Sequence, residues 1–194
     1  MTPATRLKIS LRNSAERYGA LAILLHWSMA LVLIALIASG LYMVRLPDAG
    51  FDTKKISLII YHKELGMLAL ALAALRLAWR VGNVLPRLVE HLPDWQKLAA
   101  RFAHLAFYAL MLALPLTGWM MSSAAGIPVS FLGWFDLPDL VAYSERSFRA
   151  FIGIHKWLGY ALGALIALHA AAALRHHWGL RDETLTKMWP GARS

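Results

Sequence analysis

The chain contains no cysteine. That absence excludes disulfides, thiol catalysis, Cys-ligated iron–sulfur clusters and covalently attached c-type haem, so any metal must rest on histidine, methionine, carboxylate or backbone ligands. Charge is scarce as well. Asp, Glu, Lys and Arg together supply 16% of the 194 residues, against 59% hydrophobic residues and a mean hydropathy of +0.51. Such a balance lies outside the range of soluble globular domains and points to a membrane protein. The acidic residues are scarcest of all, eleven against twenty Lys and Arg, which leaves a net charge of +9. No basic run has the length or the aromatic interleaving of a nucleic-acid surface, so nucleic acid is excluded as a partner. Internal repeats, low-complexity tracts and a separate soluble domain are also missing.

What is present is long apolar runs. A helix needs about 20 apolar residues to cross roughly 30 Å of hydrocarbon, and residues 20–44, 57–79, 103–124 and 151–175 each provide that. The first follows basic residues, as a signal peptide would, but its apolar run is too long for such a peptide and no small-residue cleavage site follows, so it reads as a retained span. Turn chemistry marks the connections, at Pro47-Asp48-Ala49-Gly50, from Pro86 to Pro93-Asp94, and from Gly126 to Pro138. The expected fold is an all-α membrane protein, a four-transmembrane-helix bundle forming one integral-membrane domain over residues 1–194. Of the twenty Lys and Arg, thirteen fall in the N-terminal arm, the second connection and the tail, and seven in the first and third connections. The positive-inside bias therefore sets both termini in the cytoplasm, and the acidic headgroups of the lipid bilayer absorb the basic surplus.

The last apolar run, "GIHKWLGYALGALIALHAAAALRHHWG" over residues 153–179, carries four histidines. His155 and His169 are fourteen apart, so on a helix they share a face and stand about 21 Å apart along the axis. His26, near the start of the first span, lies at the depth of His169, and His62, near the start of the second, at the depth of His155. Two facing imidazole pairs at two depths are what two bis-histidine b-type haems in a four-helix bundle require. His104 opens the third span at the inner level and is an alternative partner for His169, while His91 sits in a polar connection. Met29, Met43, Met67, Met111, Met120 and Met121 read as packing residues. Gly159, Leu162 and Ile166 continue the stripe from His155 to His169, and Gly40 and Gly118 stand at the outer level. Arg76, fourteen after His62, falls at the inner depth, where it can meet a haem propionate or reach for the interface.

The segments "LLHWSMALVLIALIASG", "IIYHKELGMLALALAALRLAWR", "FAHLAFYALMLALPLTGWMM" and "GIHKWLGYALGALIALHAAAALRHHWG" resemble, in order, the four spans of the bacterial cytochrome b561 family. The resemblance implies an inner-membrane cytochrome with two haem b groups that exchanges electrons with quinone, and in some members oxidises superoxide to dioxygen with ubiquinone as acceptor. It implies that His26 and His169 hold the inner haem iron, that His62 and His155 hold the outer, and that His176 contacts quinone. If the last helix continues, His176 stays within about 20° of the His169 face and roughly 10.5 Å further out. Lys54, Lys55, Lys63, Arg146, Arg149 and Lys156 lie near the outer level and could steer an anionic donor. The rival reading is an electron-transfer anchor for a periplasmic dehydrogenase or hydrogenase, docking through "GIPVSFLGWFDLPDLVAYSERSF". Phe131, Trp134 and Phe135 of that loop equally suit an interfacial aromatic belt.

Overall fold

The computed structural model describes residues 10–47, 52–87 and 92–189. His91, the Asp48–Gly50 part of the first turn, and Arg6, Lys8 and Arg193 of the basic arm and tail lie outside the described residues. Four helices dominate: α1 (Ala20–Met43), α2 (Thr53–Val81), α3 (Asp94–Ala124) and α4 (Glu145–Leu174). Each is long and apolar enough to cross a membrane. Three of them outrun the apolar segments that foretell them. α2 begins four residues before its apolar run because the Asp52 carboxylate accepts from the Lys54 amide at 2.9 Å and so caps the first turn. Ser144 does the same for α4, accepting from the Ser147 amide at 3.3 Å, and Glu145 adds negative charge to that first turn.

Packing is sequential: α1 lies against α2, α2 against α3, and α3 against α4. Between the described parts of α4 and of α1 or α2 there is little close backbone approach. Midway along the bundle Met29 and Leu33 of α1, Ala73 of α2, Met111 of α3 and Leu162 of α4 form the buried core, with Ile37, Phe107 and Ile166 against it. Met29 and Met111 are packing residues, as expected from their type, and Leu162 and Ile166 are the apolar spacers between the two histidine levels.

The connection after α3 contains an antiparallel hairpin that hydropathy does not foretell, β1 (Val129–Phe131) paired with β2 (Phe135–Leu137). Its turn requires positive φ at two successive positions, Leu132 at 51° and Gly133 at 71°, and the Trp134 amide closes it on the Phe131 carbonyl at 3.0 Å. Lys63 of α2 donates to the Pro128 carbonyl at 2.6 Å, and Trp119 of α3 donates to that of Pro138 at 3.1 Å, so the hairpin is laid across the ends of both helices.

At the opposite end three segments are knitted together. Gly19 passes so close to the arm that a Cβ there would lie 2.4 Å from the Leu11 carbonyl oxygen, a position only glycine can hold. Asn13 accepts from the Gly19 amide and donates to the Val84 carbonyl, and the Arg87 amide donates to Ala15. The tail returns to the same end: Trp27 donates to the Met188 carbonyl at 2.8 Å, and Lys187 donates to Arg87 at 3.1 Å.

Candidate functional site

The structure brings the intramembrane histidines together in two layers. In the outer layer the ring centres of His62 and His155 are 6.2 Å apart. In the inner layer His26 and His169 are 6.3 Å apart, and His104 is 6.2 Å from His169. A metal held between two imidazoles by bonds of about 2 Å, with roughly 1.1 Å more from each nitrogen to its ring centre, separates the centres by roughly 6.3 Å. The spacing therefore fits axial ligation of an iron in both layers.

Hydrogen bonding tests the fit further, because a ligating imidazole must carry its proton on the other nitrogen. The Ser39 hydroxyl gives its one proton to the Leu36 carbonyl at 3.0 Å, so its oxygen accepts from Nδ1–H of His62, also at 3.0 Å. Thr117 likewise donates to Leu114 at 2.8 Å, so it accepts from Nδ1–H of His155 at 3.1 Å, a proton shared with the Leu114 carbonyl at 3.1 Å. Both outer rings are thereby fixed in the tautomer that leaves the Nε2 lone pair free to bind a metal. Space is available as well. A Cβ built on Gly66, four residues after His62, or on Gly159, four after His155, would meet nothing within 4 Å. Gly40 and Gly118 do lie in the outer layer, where a Cβ would stand 3.4 Å from Cε1 of His62 and 3.2 Å from Cε1 of His155.

The inner layer is built differently. Arg76 Nη2 donates to Nδ1 of His26 at 3.0 Å, which puts the His26 proton on Nε2 in this arrangement. Metal ligation through Nε2 would require Arg76 to give up that bond for another acceptor. Arg76 does stand at the inner depth, where it meets the His26 imidazole. Phe107 packs edge-on against His169 with centres 5.2 Å apart. Arg76 and Arg80 both lie over the ring of Tyr108, at 6.0 and 5.6 Å.

Beyond α4 the chain widens into a π-helical turn, Arg175–Leu180, although Leu174 (φ −67°, ψ −40°) and Arg175 (φ −60°, ψ −42°) keep α-helical dihedrals up to His176. His176 Nδ1 meets Asp182 Oδ2 at 2.5 Å, with both side chains largely covered, 14% and 15% exposed. Burial by itself would raise the Asp182 carboxyl, but hydrogen bonds from Thr184 and His176 outweigh it and hold that carboxyl below its ordinary value. Of the basic residues at the outer level, five are engaged locally. Lys54 donates to the Tyr42 hydroxyl, Lys55 to Leu46 and Lys63 to Pro128, Arg149 pairs with Glu145, and Lys156 lies over Tyr160. Arg149 is thus paired with a carboxylate, whereas Lys54, Lys63 and Lys156 meet neutral groups and keep their net positive charge. Ser39, Thr117 and Asp182 escaped sequence reading. Small hydroxyl residues in a span read as packing, and only the fold brings Ser39 to a histidine 23 residues away.

A bundle of four spanning helices whose interior holds opposed imidazoles at two depths defines a class, the membrane cytochromes that carry haem b in the bundle core. The chain belongs to the prokaryotic cytochrome b561 family, whose pattern matches residues 17–191. Proteins of this family bind b-type haem and transfer electrons in bacterial membranes, so this chain is a multi-pass membrane electron-transfer protein. It is 34% identical over 181 residues to cytochrome b561 homolog 2 of Escherichia coli strain K12, covering 93% of this chain and 95% of that protein. Cytochrome b561 homolog 1 of the same strain is 33% identical over 179 residues, 90% and 98% of the two chains. The probable superoxide oxidase CybB of Yersinia pestis is 27% identical over 190 residues, 92% of this chain and 98% of that one.

Proposed function

We propose that this chain is an inner-membrane oxidoreductase with two haem b groups, both termini cytoplasmic, that passes electrons from a periplasmic one-electron donor, superoxide, to ubiquinone. The observation that carries the reading is the pair of opposed imidazole layers, with ring centres 6.2 and 6.3 Å apart, separated by an apolar core. In this reading His62 and His155 hold the outer haem and His26 and His169 the inner, with Arg76 beside a propionate and His176 touching quinone. When bound, haem would supply a one-electron iron couple, and two histidine ligands per iron would favour outer-sphere electron transfer over dioxygen binding. The chain's own part is to fix the donor nitrogens, to keep the space between the layers dry through Met29, Leu33, Met111 and Leu162, and to hold a proton near the quinone. The reaction balances: two superoxide ions lose one electron each to become two dioxygen molecules, and quinone takes up two electrons and two protons to become quinol. The superoxide assignment draws on likeness to a probable superoxide oxidase.

His26 is preferred to His104 as the partner of His169 for a reason of space. α3 and α4 pack closely, whereas α1 and α4 do not, and the outer pair likewise spans two helices without close approach. His104 remains the second reading at this layer, favoured by its ring centre standing 6.2 Å from that of His169. The deciding experiment is a pyridine haemochrome assay on purified protein, followed by a superoxide pulse with and without ubiquinone. Two haems per chain, reduced rapidly by superoxide and reoxidised by ubiquinone, are expected. One haem or none, or haems that superoxide does not reduce, would refute the proposal. Loss of a haem in His104→Ala but not in His26→Ala would transfer the inner ligand to α3.

A further inference from the structure

The π-helical turn after α4 has a chemical consequence. Arg181 follows it with φ of 54°, in the left-handed region, and reverses the chain so that Asp182 folds back onto the helix end. Its backbone amide then donates to the His176 carbonyl at 3.2 Å. The carboxylate is held at both oxygens, Oδ1 by the Thr184 amide at 2.9 Å and Oδ2 by His176 Nδ1 at 2.5 Å. A carboxylate only accepts, so the proton between the two groups belongs to Nδ1 and the ring is fixed in one tautomer.

We infer that Asp182 is the positioning residue of a His–Asp proton-delivery pair, in which His176 Nε2 carries the proton handed to the reduced quinone. The inference rests on the proposal that quinone binds beside His176. With Nδ1–H given permanently to Asp182, Nε2 is the one ring nitrogen that can exchange protons. When protonated, Nε2–H donates to the quinone carbonyl. As quinone takes up two electrons from two successive one-electron oxidations, that proton moves to the quinone oxygen and leaves a neutral imidazole. Water from the cytoplasmic side reprotonates Nε2, and a second transfer completes the quinol. A histidine without the carboxylate would exchange tautomers freely and spend part of its time with the wrong nitrogen facing the substrate.

Asp182→Asn gives a sharp test. The amide oxygen stays with the Thr184 amide, its NH2 group turns to Nδ1, and the His176 proton is forced onto Nε2 of a neutral ring. Such a ring can still hydrogen-bond a quinone carbonyl but cannot deliver a proton without becoming imidazolate. Haem-loaded wild type, Asp182→Asn, His176→Ala and the double variant would be reduced with dithionite and mixed with a short-chain ubiquinone. The single variants should each lower kcat for haem reoxidation by about 100-fold or more. Asp182→Asn should leave KM nearly unchanged, and the double variant should be no slower than His176→Ala alone. Independently of turnover, NMR of isotope-labelled histidine should find the His176 proton on Nδ1 in wild type and on Nε2 in Asp182→Asn. Additive losses in the double variant, full activity of Asp182→Asn, or a wild-type proton on Nε2 would overturn the pair and leave the quinone site standing. Unchanged reoxidation in His176→Ala would remove the quinone site and the pair with it.

Discussion

Ser39→Ala and Thr117→Val look like equivalent losses, since each removes a hydroxyl that accepts from Nδ1–H of an outer histidine, yet the structure makes them unequal. His62 Nδ1 has Ser39 Oγ as its hydrogen-bond acceptor, at 3.0 Å. Removing that oxygen leaves a half-buried donor unsatisfied, which costs about 1–3 kcal/mol. His155 Nδ1 keeps the Leu114 carbonyl, already at 3.1 Å, when Thr117 is lost. The penalty there is one of two shared bonds, about 0.5–1 kcal/mol. Ser39→Ala should therefore weaken haem retention in the outer layer by roughly 5- to 150-fold, and Thr117→Val by no more than about 5-fold. Haem content after graded detergent washing measures this difference between the two variants. A Thr117→Val variant as damaged as Ser39→Ala, or a Ser39→Ala variant that keeps its outer haem like wild type, would refute the tautomer argument.

Gly159→Leu and Gly66→Leu should fold, because nothing in the protein lies within 4 Å of a Cβ at either position, but both should lose the outer haem while keeping the inner. Retention of both haems would mean that this space serves something else. Single cysteines introduced between residues 127 and 149 should react with impermeant reagents in whole cells, as the division of thirteen against seven Lys and Arg requires; reaction only after lysis would invert the topology. Asp182 sets an acid limit on the tail. Its carboxyl, half-buried but hydrogen-bonded by Thr184 and His176, is held below the ordinary 3.8, so its anchoring is complete above about pH 4 and is lost as pH falls through the lowered value. The near-ultraviolet dichroism of the Trp27–Trp189 pair, whose rings meet edge-on at 5.8 Å, should be flat from neutral pH to about pH 4 and change only below it. A transition near pH 6 would assign the anchoring to another group.

The four spans and the two histidine depths are legible in the sequence because both follow from periodicity. Apolar length marks lipid, and a spacing of fourteen marks one helix face at two levels. Helix ends are less legible, since hydrogen bonding continues past the hydrocarbon wherever a cap such as Asp52 or Ser144 starts a polar turn earlier. The hairpin is hidden by strands of three residues and by a leucine in the left-handed conformation, where turn rules look for Asn or Gly. The partners of the histidine rings are hidden for a different reason. Ser39, Thr117 and Arg76 reach His62, His155 and His26 from other helices, across separations that no local pattern encodes. His176 is the instructive case, because its residue type and position are legible while its bond to Asp182 depends on a π-helical turn and a left-handed residue that lie beyond the periodic part of the chain.

The two layers present the same imidazole chemistry in unlike surroundings, and α2 makes much of the difference. It contributes His62 to the outer layer, whose Nδ1–H is met by the neutral hydroxyl of Ser39, and Arg76 and Arg80 to the inner end. Fourteen residues separate His62 from Arg76, so one helix face carries a hydrogen-bonded imidazole at one depth and a permanent cation at the other. A proton donor shared with an acceptor makes an imidazole a stronger base and favours the oxidised form of whatever metal it holds, whereas a guanidinium close by favours added negative charge. Under the proposed function, both effects would act in the same sense and lower the energy of an electron as it moved from the outer layer to the inner. The inner end is also where the tail folds back, bringing His176 and Asp182 beside the end of α4. Under the proposed function, the charge of the chain would slope towards the end where His176 and Asp182 stand, as one-electron oxidation at one membrane face and proton-coupled reduction at the other would require.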